Sequence, residues 1–322
     1  MNPKISILIP AYNVENYVEK CLLSLFDNKL INECEIIIIN DCSTDNTLYV
    51  IEKLKNENNN LSISIINHTE NKGIGFTRNE LLGLAKGKYF LFCDSDDWVE
   101  PDYLEKLYHA AEENDAEITG CNINIYSGNS VLKREIPLKE TGYQCIIEWG
   151  NGKLPSWLVL KLIRTDFIKQ NNIKFIDGIN FGEDALFMTK SFSKVKKMAY
   201  VNEYLYNYRK NTNSITGSLF DETKCDNLIE SQRLIEDFLV QTYPNDSSIL
   251  RASYLSKILK KRWILFKGNK NCQKKYMNLW PEINSVVNES NTILPVKIVL
   301  KNKPHLLAVF LLVIFNIYKK LK

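Results

Sequence analysis

Near its start the chain carries an aliphatic run, Ile5-Ser6-Ile7-Leu8-Ile9, and it repeats this pattern at 35–39 (EIIII), 61–66 (LSISII) and 88–92 (KYFLF). Short runs rich in β-branched residues predict strands, and their almost unbroken apolar character predicts burial on both faces. Apolar side chains at helical spacing separate these runs, at 14–28, 45–56 and 77–86. The alternation predicts βαβ units, and therefore an α/β fold with a mainly parallel sheet flanked by helices.

Length and composition bound the classes that remain open. The 322 residues exceed the usual size of one domain, so we expect a large domain with an appendage, or two domains. Hydrophobic residues make up 45% and charged residues 25%, which excludes a disordered or fibrous chain. The 41 Lys and Arg residues nearly balance the 38 Asp and Glu residues, so the net charge of +3 gives no reason to expect nucleic-acid binding.

The regular alternation continues only to about residue 121. Pro101 with 102–113 predicts a helix that has proline in its first turn, and 116–121 predicts one more strand. Beyond that we expect helices at 157–170 and 183–192, short strands at 197–201 and 205–208, and mostly helix over 219–266. The predicted organisation is a domain at 1–220, with halves 1–121 and 122–220, and a helical region at 221–322.

Cysteines and hydrophobic segments predict the compartment. The eight cysteines are scattered, without a Cys-x-x-Cys pair or a His cluster, which indicates neither zinc nor disulfides and favours the cytoplasm. The apolar stretch before Pro10 is too short for a signal peptide. The longest apolar run, 306–317, has 12 residues against the roughly 20 that span a bilayer. It is long enough to lie on a membrane but not to cross one. Three isolated histidines are more typical of structural or exposed positions than of ligands: His68, His109 and His305.

A polar loop follows each of the first four predicted strands. These loops are Pro10-Ala11-Tyr12-Asn13, Asn40 to Asp45, Asn71 to Gly75, and Asp94 to Asp97. The carboxyl ends of parallel strands share one edge of the sheet, and ligands of such sheets bind there. An aromatic ring, several carboxylates and a glycine-containing loop at one edge suit a base, a ribose and a metal-chelated phosphate. The sequence therefore predicts a nucleotide site.

Asp94-Ser95-Asp96 carries the strongest chemical signal in these loops. Two carboxylates after a hydrophobic strand can hold a hard Mg²⁺ or Mn²⁺ ion that bridges diphosphate oxygens. The alternative is helix capping, since Asp and Ser are favoured just before a helix and a helix pattern follows. A second alternative is the aspartyl-phosphate nucleophile of haloacid dehalogenase-type phosphatases, which is disfavoured because the motif is neither near the N-terminus nor followed by Thr.

Asp41 and Arg78 are further candidates with open alternatives. Asp41 follows the second predicted strand, where it can accept hydrogen bonds from a base or ribose, or simply form a turn. Arg78 lies early in the predicted helix 77–86 and is a candidate partner for a diphosphate or a carboxylate, with an exposed arginine as the alternative. Gly73 and Gly75 lack the third glycine of a dinucleotide fingerprint.

These four loops together strongly resemble family 2 glycosyltransferases of the GT-A fold. The matching motifs cover roughly residues 4 to 121 and end with Asn71-Lys72-Gly73 through Arg78-Asn79 and then Asp94 to Asp97. The resemblance implies an inverting transfer of a sugar from a nucleoside diphosphate, most often UDP, with a divalent cation as cofactor. It implies a nucleotide-binding half at 1–121 and an acceptor half at 122–220. Two departures from the family pattern are Cys42, where Gly is usual, and Thr77, where Ala is common.

The resemblance also implies roles for single residues. By that resemblance Pro10, Ala11, Tyr12 and Asp41 contact the nucleoside, and Lys72 and Arg78 lie along the nucleotide. Asp94, with Ser95 beside it, touches the ribose or the metal, and Asp96 ligates the metal.

A base is needed opposite the leaving diphosphate, because the acceptor hydroxyl must lose its proton during in-line attack. The segment Phe181-Gly182-Glu183-Asp184 resembles the family's Glu-Asp element, which implies Asp184 as the base and Glu183 as a neighbour on the acceptor side. From the residues alone, two acids that complement a helix N-terminus are the stronger interpretation. The loop 208–215 is similar to one that closes over the diphosphate in relatives; Arg209 is then a partner of the departing UDP, and a plain surface loop is the alternative.

The region after about residue 220 lies outside the resemblance. Basic and apolar residues interleave at 257–267, and lysines flank the apolar run on both sides, at 297–303 and 319–322. One interpretation is a basic amphipathic tail, 297–322, that binds anionic lipid peripherally at the inner face of the cytoplasmic membrane. The other is a solvated basic face around a terminal helix packed on the core.

The overall expectation is a metal-dependent glycosyltransferase. It moves a sugar to a saccharide or lipid-linked saccharide acceptor in the synthesis of a bacterial surface polysaccharide. A nucleotide-binding, membrane-associated scaffold of the same fold that has lost turnover is the alternative. Asp41, Asp94, Asp96 and Asp184 together argue against the scaffold, since a scaffold needs no base.

Overall fold

The computed structural model describes residues 2–211, 220–276 and 279–286. The chain divides into two compact units, one formed by 1–142 with 156–214 and the other by 143–155 with 215–322. Residues 143–155, which the sequence analysis assigned to the acceptor half, thus belong to the second unit. No helix of the described residues is both long enough and apolar enough to cross a membrane. The predicted lipid-binding tail, 297–322, lies outside the described residues.

The first four strands form the parallel part of the sheet, as predicted. They are β1 (Ile5–Ala11), β2 (Cys34–Asn40), β3 (Ile63–Asn67) and β4 (Tyr89–Phe92). The order is β3-β2-β1-β4, with parallel pairing throughout. Every residue of β1 is buried, which explains why its sequence is apolar on both faces.

The sheet then continues with mixed pairing. Its later strands are β5 (Trp98–Val99), β6 (Ile118–Ser127), β7 (Ser130–Arg134), β8 (Lys161–Arg164) and β9 (Met198–Arg209). The order runs on from β4 through β8, β6 and β9 to β5, and β7 pairs with β6. β8 is antiparallel to both of its neighbours, whereas β6 and β9 are parallel. The first four strands are therefore parallel throughout, whereas the later part of the sheet combines one parallel pair, β6 with β9, with antiparallel pairs.

Two sequence predictions fail in this part of the sheet. The predicted helix 157–170 is a strand, β8, followed by a helix that begins only at Thr165. The cause is tertiary, because Ile163 pairs with both Phe90 of β4 and Ile118 of β6. The two short strands predicted at 197–201 and 205–208 are one strand, β9, whose pairing with β6 shifts register near Asn122.

Seven α-helices precede β9 among the described residues. They are α1 (Val18–Phe26), α2 (Thr47–Glu57), α3 (Ile74–Leu84), α4 (Tyr103–Glu113), α5 (Gly142–Gly150), α6 (Thr165–Gln170) and α7 (Glu183–Lys194). Six lie in the first unit, and α5 belongs to the second unit except for its first residue. α1 to α4 fall within a few residues of their predicted positions. Each alternates with a strand, so that every strand of the parallel part ends at the same edge of the sheet.

The second unit is helical, as predicted, with α8 (Glu222–Thr242), α9 (Ser247–Lys267) and α10 (Lys270–Lys275). Both long helices begin at an aspartate whose side chain accepts backbone N–H bonds, Asp221 for α8 and Asp246 for α9. The basic side chains of α9 are divided: Arg262 is exposed, as expected of a solvated basic face, whereas three lysines are not. Lys257, Lys260 and Lys261 are all buried.

Candidate active site at the carboxyl edge of the sheet

The ends of β1, β2 and β3 stand level with one another. Ala11 pairs with Asn40, and Asn40 pairs with Asn67. The pairing continues one residue beyond the strand ends. The Asp41 N–H donates to the carbonyl oxygen of Ala11, and the His68 N–H donates to the carbonyl oxygen of Asn40. The loops predicted to bind a nucleotide therefore begin side by side.

Asp41 ties two of these loops together. Its carboxylate is buried and accepts the backbone N–H groups of Lys72 and Gly73, each at 2.9 Å. Gly73 has a φ of +84°, a conformation that glycine adopts without steric cost. Asp41 thus holds the shape of the loop after β3, and its contact with a base or ribose stays a prediction.

His68 is a member of this cluster that sequence reasoning missed. Its ring nitrogens lie 2.7 Å from Oδ1 of Asp41 and 3.0 Å from Oε2 of Glu80. Its isolation in the sequence favoured a structural role, and it has one here, beside a predicted site residue. The available signal was its place directly after β3, which ends at Asn67.

The predicted nucleoside contacts differ in exposure. Tyr12 is exposed, whereas Ala11 is buried within β1. The Ser95 hydroxyl donates to the Pro10 carbonyl oxygen at 2.9 Å, which joins the loop after β1 to the acidic loop after β4. Lys72 is exposed, with Nζ 4.7 Å from the centroid of the Phe76 ring.

The acidic loop does not cap a helix. After Asp97 the chain forms β5, and α4 begins only at Tyr103, so the capping alternative for Asp94-Ser95-Asp96 is wrong. Asp97 is the structural member of the loop. Its carboxylate accepts the Tyr206 hydroxyl at 2.8 Å and the Arg209 N–H at 2.7 Å.

Asp94 and Asp96 keep their carboxylates partly open. Burial, together with the charge of Asp94, raises the pKa of Asp96 to about 6. Two acids at this spacing repel each other, and a bound cation would relieve that repulsion. Carboxylate oxygens are also the ligands that Mg²⁺ and Mn²⁺ prefer. The residues present therefore fit a divalent cation, although no cluster of three metal-ligating side chains occurs among the described residues.

Arg78 connects this loop to α7. Its side chain is 6% exposed, so the exposed-arginine alternative is wrong. Nη2 lies 3.2 Å from Oδ1 of Asp94, and Nη1 bonds to Oε1 of Glu183. Burial works to lower the pKa of Arg78, but the charges of Glu183, Asp94 and Asp184 outweigh it and leave that pKa raised.

Glu183 and Asp184 form the first turn of α7. Burial raises the pKa of Glu183 to about 7, and Arg78 opposes that rise. Asp184 accepts the Ser156 hydroxyl at 3.1 Å. Both acids therefore do complement a helix N-terminus, as the residues alone suggested. Through Arg78, the two acids also lie close to Asp94. Complementing a helix N-terminus does not explain this proximity.

The family follows from a comparison with known proteins. The sequence profile described as "Glycosyl transferase family 2" matches residues 6–195. The chain belongs to glycosyltransferase family 2. The matched residues contain both acidic elements just described.

One curated relative is the poly(ribitol-phosphate) beta-glucosyltransferase of Bacillus spizizenii. It is 34% identical over 208 residues, which cover 64% of this chain and 32% of that protein. The chain thus spans about a third of this relative.

Solved structures of glycosyltransferases confirm the predicted GT-A fold. TarS 1-349 of S. aureus matches with a TM-score of 0.70 at 19% identity, covering 99% of this chain and 92% of that one. The complex of TarS 1-349 with UDP-GlcNAc matches with a TM-score of 0.65 at 21% identity, covering 92% and 84%. The mannosyltransferase PcManGT from Pyrobaculum calidifontis, solved with GDP-Man and Mn²⁺, matches with a TM-score of 0.54 at 11% identity, covering 99% and 88%.

Within this family 2 chain, Arg209 is tied to the acidic loop. It is the last residue of β9, and its Nε donates to the backbone carbonyl oxygen of Asp96 at 3.0 Å. Its described neighbours Lys210 and Asn211 continue the predicted closing loop, and residues 212–215 lie outside the described residues. The departure at Cys42 has a backbone consequence, because its φ of +59° lies in the region that glycine favours.

Proposed function

We propose that the chain is an inverting glycosyltransferase that takes a sugar from a UDP-sugar and uses Mn²⁺ or Mg²⁺. The acceptor is a saccharide, a lipid-linked saccharide or a related polymer of the bacterial surface. The observation that carries the proposal is Arg78, which bonds to Asp94 of the acidic loop and to Glu183 beside Asp184. One buried cation thereby links the candidate donor side to the candidate base.

Asp184 is the proposed base. Its carboxylate would take the proton of the acceptor hydroxyl as that oxygen attacks the anomeric carbon of the sugar. The bond from the anomeric carbon to the diphosphate breaks, and UDP leaves with the electron pair. The Ser156 hydroxyl orients the carboxylate, and the buried Arg78–Glu183 pair fixes the first turn of α7 that carries it.

The donor side rests on Asp94, Asp96 and Arg209. Asp96, with Asp94 beside it, would hold the divalent cation, which when bound would neutralise charge on the diphosphate. The Arg209 side chain donates to the backbone carbonyl oxygen of Asp96, and its backbone N–H donates to the Asp97 carboxylate, so its positive charge is fixed beside the same loop. The UDP-GlcNAc complex of a structural neighbour supports a uridine donor, and the Mn²⁺ in another supports the cation.

Cytoplasmic placement and peripheral contact of 297–322 with the inner face of the membrane also remain proposals. A chain truncated after Ser290 and the full chain should differ in sedimentation with anionic liposomes at low salt, and the difference should vanish at high salt. Equal pelleting by a folded, active truncation would contradict the membrane role.

A panel of UDP-sugars with Mn²⁺ tests the function directly. We expect hydrolysis of one donor, or its transfer to an added acceptor, with release of UDP. UDP binding without either reaction on any donor would favour the inactive scaffold.

Two aspartate variants separate the proposed roles. Asp96→Ala should lose the metal-dependent part of UDP binding, because the diphosphate then faces carboxylate charge without a bridging cation. Asp184→Asn should keep UDP affinity and lose about 10²- to 10⁴-fold in kcat, the scale of general-base removal. UDP affinities that fall equally in both variants would show that Asp184 has been given the wrong role.

A further inference from the structure

His68 joins the loop after β2 to helix α3. It follows β3 directly, and its side chain is 3% exposed. Nδ1 lies 2.7 Å from Oδ1 of Asp41, and Nε2 lies 3.0 Å from Oε2 of Glu80, a residue of α3. The Phe76 ring of the same helix contacts the imidazole edge to face, with ring centroids 6.1 Å apart. The imidazole therefore has a fixed position and a fixed orientation.

The two acids beside His68 are not equivalent partners. An ionised carboxylate only accepts hydrogen bonds, and a neutral imidazole carries one N–H, so a neutral His68 donates to one acid at a time. The bond to Asp41 is the shorter one, and the Asp41 side chain is 7% exposed, against 33% for Glu80. Glu80 can exchange its bond for water, whereas a buried Asp41 would lose a partner. We therefore assign the Nδ1 proton to the bond with Asp41.

The Asp41 carboxylate has one acceptor position left for a ligand. Its two oxygens offer about four such positions. Oδ1 accepts from His68 and from the Lys72 N–H, and Oδ2 accepts from the Gly73 N–H. Within the part of the chain that the structure describes, no other group donates to this carboxylate. The remaining position is on Oδ2, at the edge of the sheet where the strand-end loops begin.

The three donors to Asp41 differ in how firmly they are held. Lys72 and Gly73 are neighbours in one loop, and Lys72 is exposed. His68 instead follows a strand that pairs with β2, and its ring is packed against α3. Without the His68 bond, the orientation of the carboxylate would depend on the loop alone.

We infer that His68 is a positioning residue that sets the base selectivity of the donor site through Asp41. The inference rests on the proposed function, whose donor is a UDP-sugar. Uracil carries an N–H at N3, which a fixed carboxylate oxygen can accept, whereas cytosine has a lone pair at N3 that the same oxygen repels. A carboxylate free to turn would instead accept from the cytosine amino group, so the discrimination between the two bases would fall.

A purely structural histidine is the alternative. Its loss would lower the stability of the first unit and would weaken all nucleotides by the same factor. The ratio of the dissociation constants for CDP and UDP separates the two roles, because both nucleotides bind to the same folded fraction of the protein. A variant that is partly unfolded therefore still reports on base selectivity.

Calorimetry of the full chain with Mn²⁺ provides this ratio. The parent protein should bind UDP about 10- to 100-fold more tightly than CDP, the scale of a hydrogen bond to a charged group. His68→Asn places an amide N–H near the position of Nδ1 and should keep most of the ratio. His68→Gln places its amide near the position of Nε2, toward Glu80, and should lower the ratio about tenfold. His109→Gln, at an exposed position of α4, is the control and should leave the ratio unchanged.

The outcomes that overturn the inference are distinct from failure of the proposed function. Equal ratios in His68→Asn and His68→Gln, or a ratio in His68→Gln that matches the parent, would leave His68 with a structural role alone. A parent protein that binds UDP and CDP equally would also overturn the inference, although it could still pass the donor panel described above. A parent protein that binds neither nucleotide would contradict the proposed function itself, and the inference with it.

Discussion

Arg78 in the first unit and Lys261 in the second are both buried cations, but they are stabilised differently. Arg78 bonds to two carboxylates, Asp94 and Glu183, and its pKa is raised. Lys261 donates to the backbone carbonyl oxygen of Leu279 at 2.9 Å, and burial lowers its pKa to about 8, although the charge of Glu282 opposes the change.

The contrast separates two uses of a buried charge. The acids around Arg78 belong to the proposed site, and the arginine compensates part of the repulsion between carboxylates that lie close together. Lys261 belongs to a helix whose neighbouring lysines, Lys257 and Lys260, are also buried. There the aliphatic parts of the lysine side chains are buried in the second unit, and the ammonium groups form hydrogen bonds at the ends of these side chains. We expect the first kind of charge to matter for activity and the second for stability alone.

Arg78→Met should have the largest effect. Removing the cation leaves Glu183 and Asp94 uncompensated, so the free energy of unfolding should fall by about 3–5 kcal/mol, measured by chemical denaturation. Sugar transfer should be lost even where the variant remains folded, because Glu183 and Asp184 no longer have a fixed position.

Arg233→Met is the control for this prediction. Arg233 pairs with Glu230 and Asp237 at an exposed position, where solvent screens the pairing, so its loss should change the free energy of unfolding very little. Arg78→Lys should fall between the two, because a lysine replaces the charge but not the two-pronged contact. A stability loss in Arg78→Met no larger than that in Arg233→Met would contradict the compensating role.

Lys261 predicts a smaller effect that depends on pH. Its pKa is about 8 in the folded protein and 10.5 is the ordinary value, so the unfolded chain binds more protons between those limits. The contribution of Lys261 to the free energy of unfolding is therefore lowest below about pH 8, and it should rise as the pH increases toward 10.5. Urea denaturation at pH 7.5 and at pH 9.5 should reveal the rise, and Lys261→Met should remove it. A Lys261→Met protein with the same pH dependence as the parent would refute the assignment.

We expect the smallest effect at Thr77, which precedes Arg78 in α3. Its side chain is buried, and its Oγ1 has no hydrogen-bond partner among the described residues. Thr77→Val should therefore raise the free energy of unfolding by about 1 kcal/mol, because the isosteric methyl group removes an unsatisfied hydroxyl.

Thr165→Val is the matched control for Thr77→Val. The Thr165 hydroxyl is buried too, but it donates to the Gly87 carbonyl oxygen at 2.7 Å. Its replacement should lower the free energy of unfolding by about 1–3 kcal/mol, because the carbonyl loses its partner. Thermal denaturation of both variants compares the two hydroxyls, and shifts in the same direction would contradict the difference drawn here.

Local patterns were sufficient for the parallel part of the sheet. β1 to β4 and the helices between them follow from apolar runs and helical spacing, because each of these segments buries the face that its own sequence makes apolar. The loops that follow those strands also follow from the sequence, since parallel strands must end at one edge. Asp94, Asp96 and Asp41 were therefore identifiable as candidates before any coordinates.

Long-range contacts account for the remainder. The segment 161–164 is a strand because it pairs with β4 on one side and β6 on the other. The helical spacing of apolar residues in 157–170 does not indicate this pairing. Whether Arg78 is exposed or paired depends on Glu183, which lies 105 positions away along the chain. Lys257 and Lys261 lie in a stretch whose many basic residues predict an exposed face, and yet both are buried. Their partners come from a later segment: Glu282 pairs with Lys257, and the Leu279 carbonyl oxygen accepts from Lys261. A sequence pattern shows the periodicity of polar and apolar residues within one segment. Burial and ionic pairing depend instead on which distant segments come into contact.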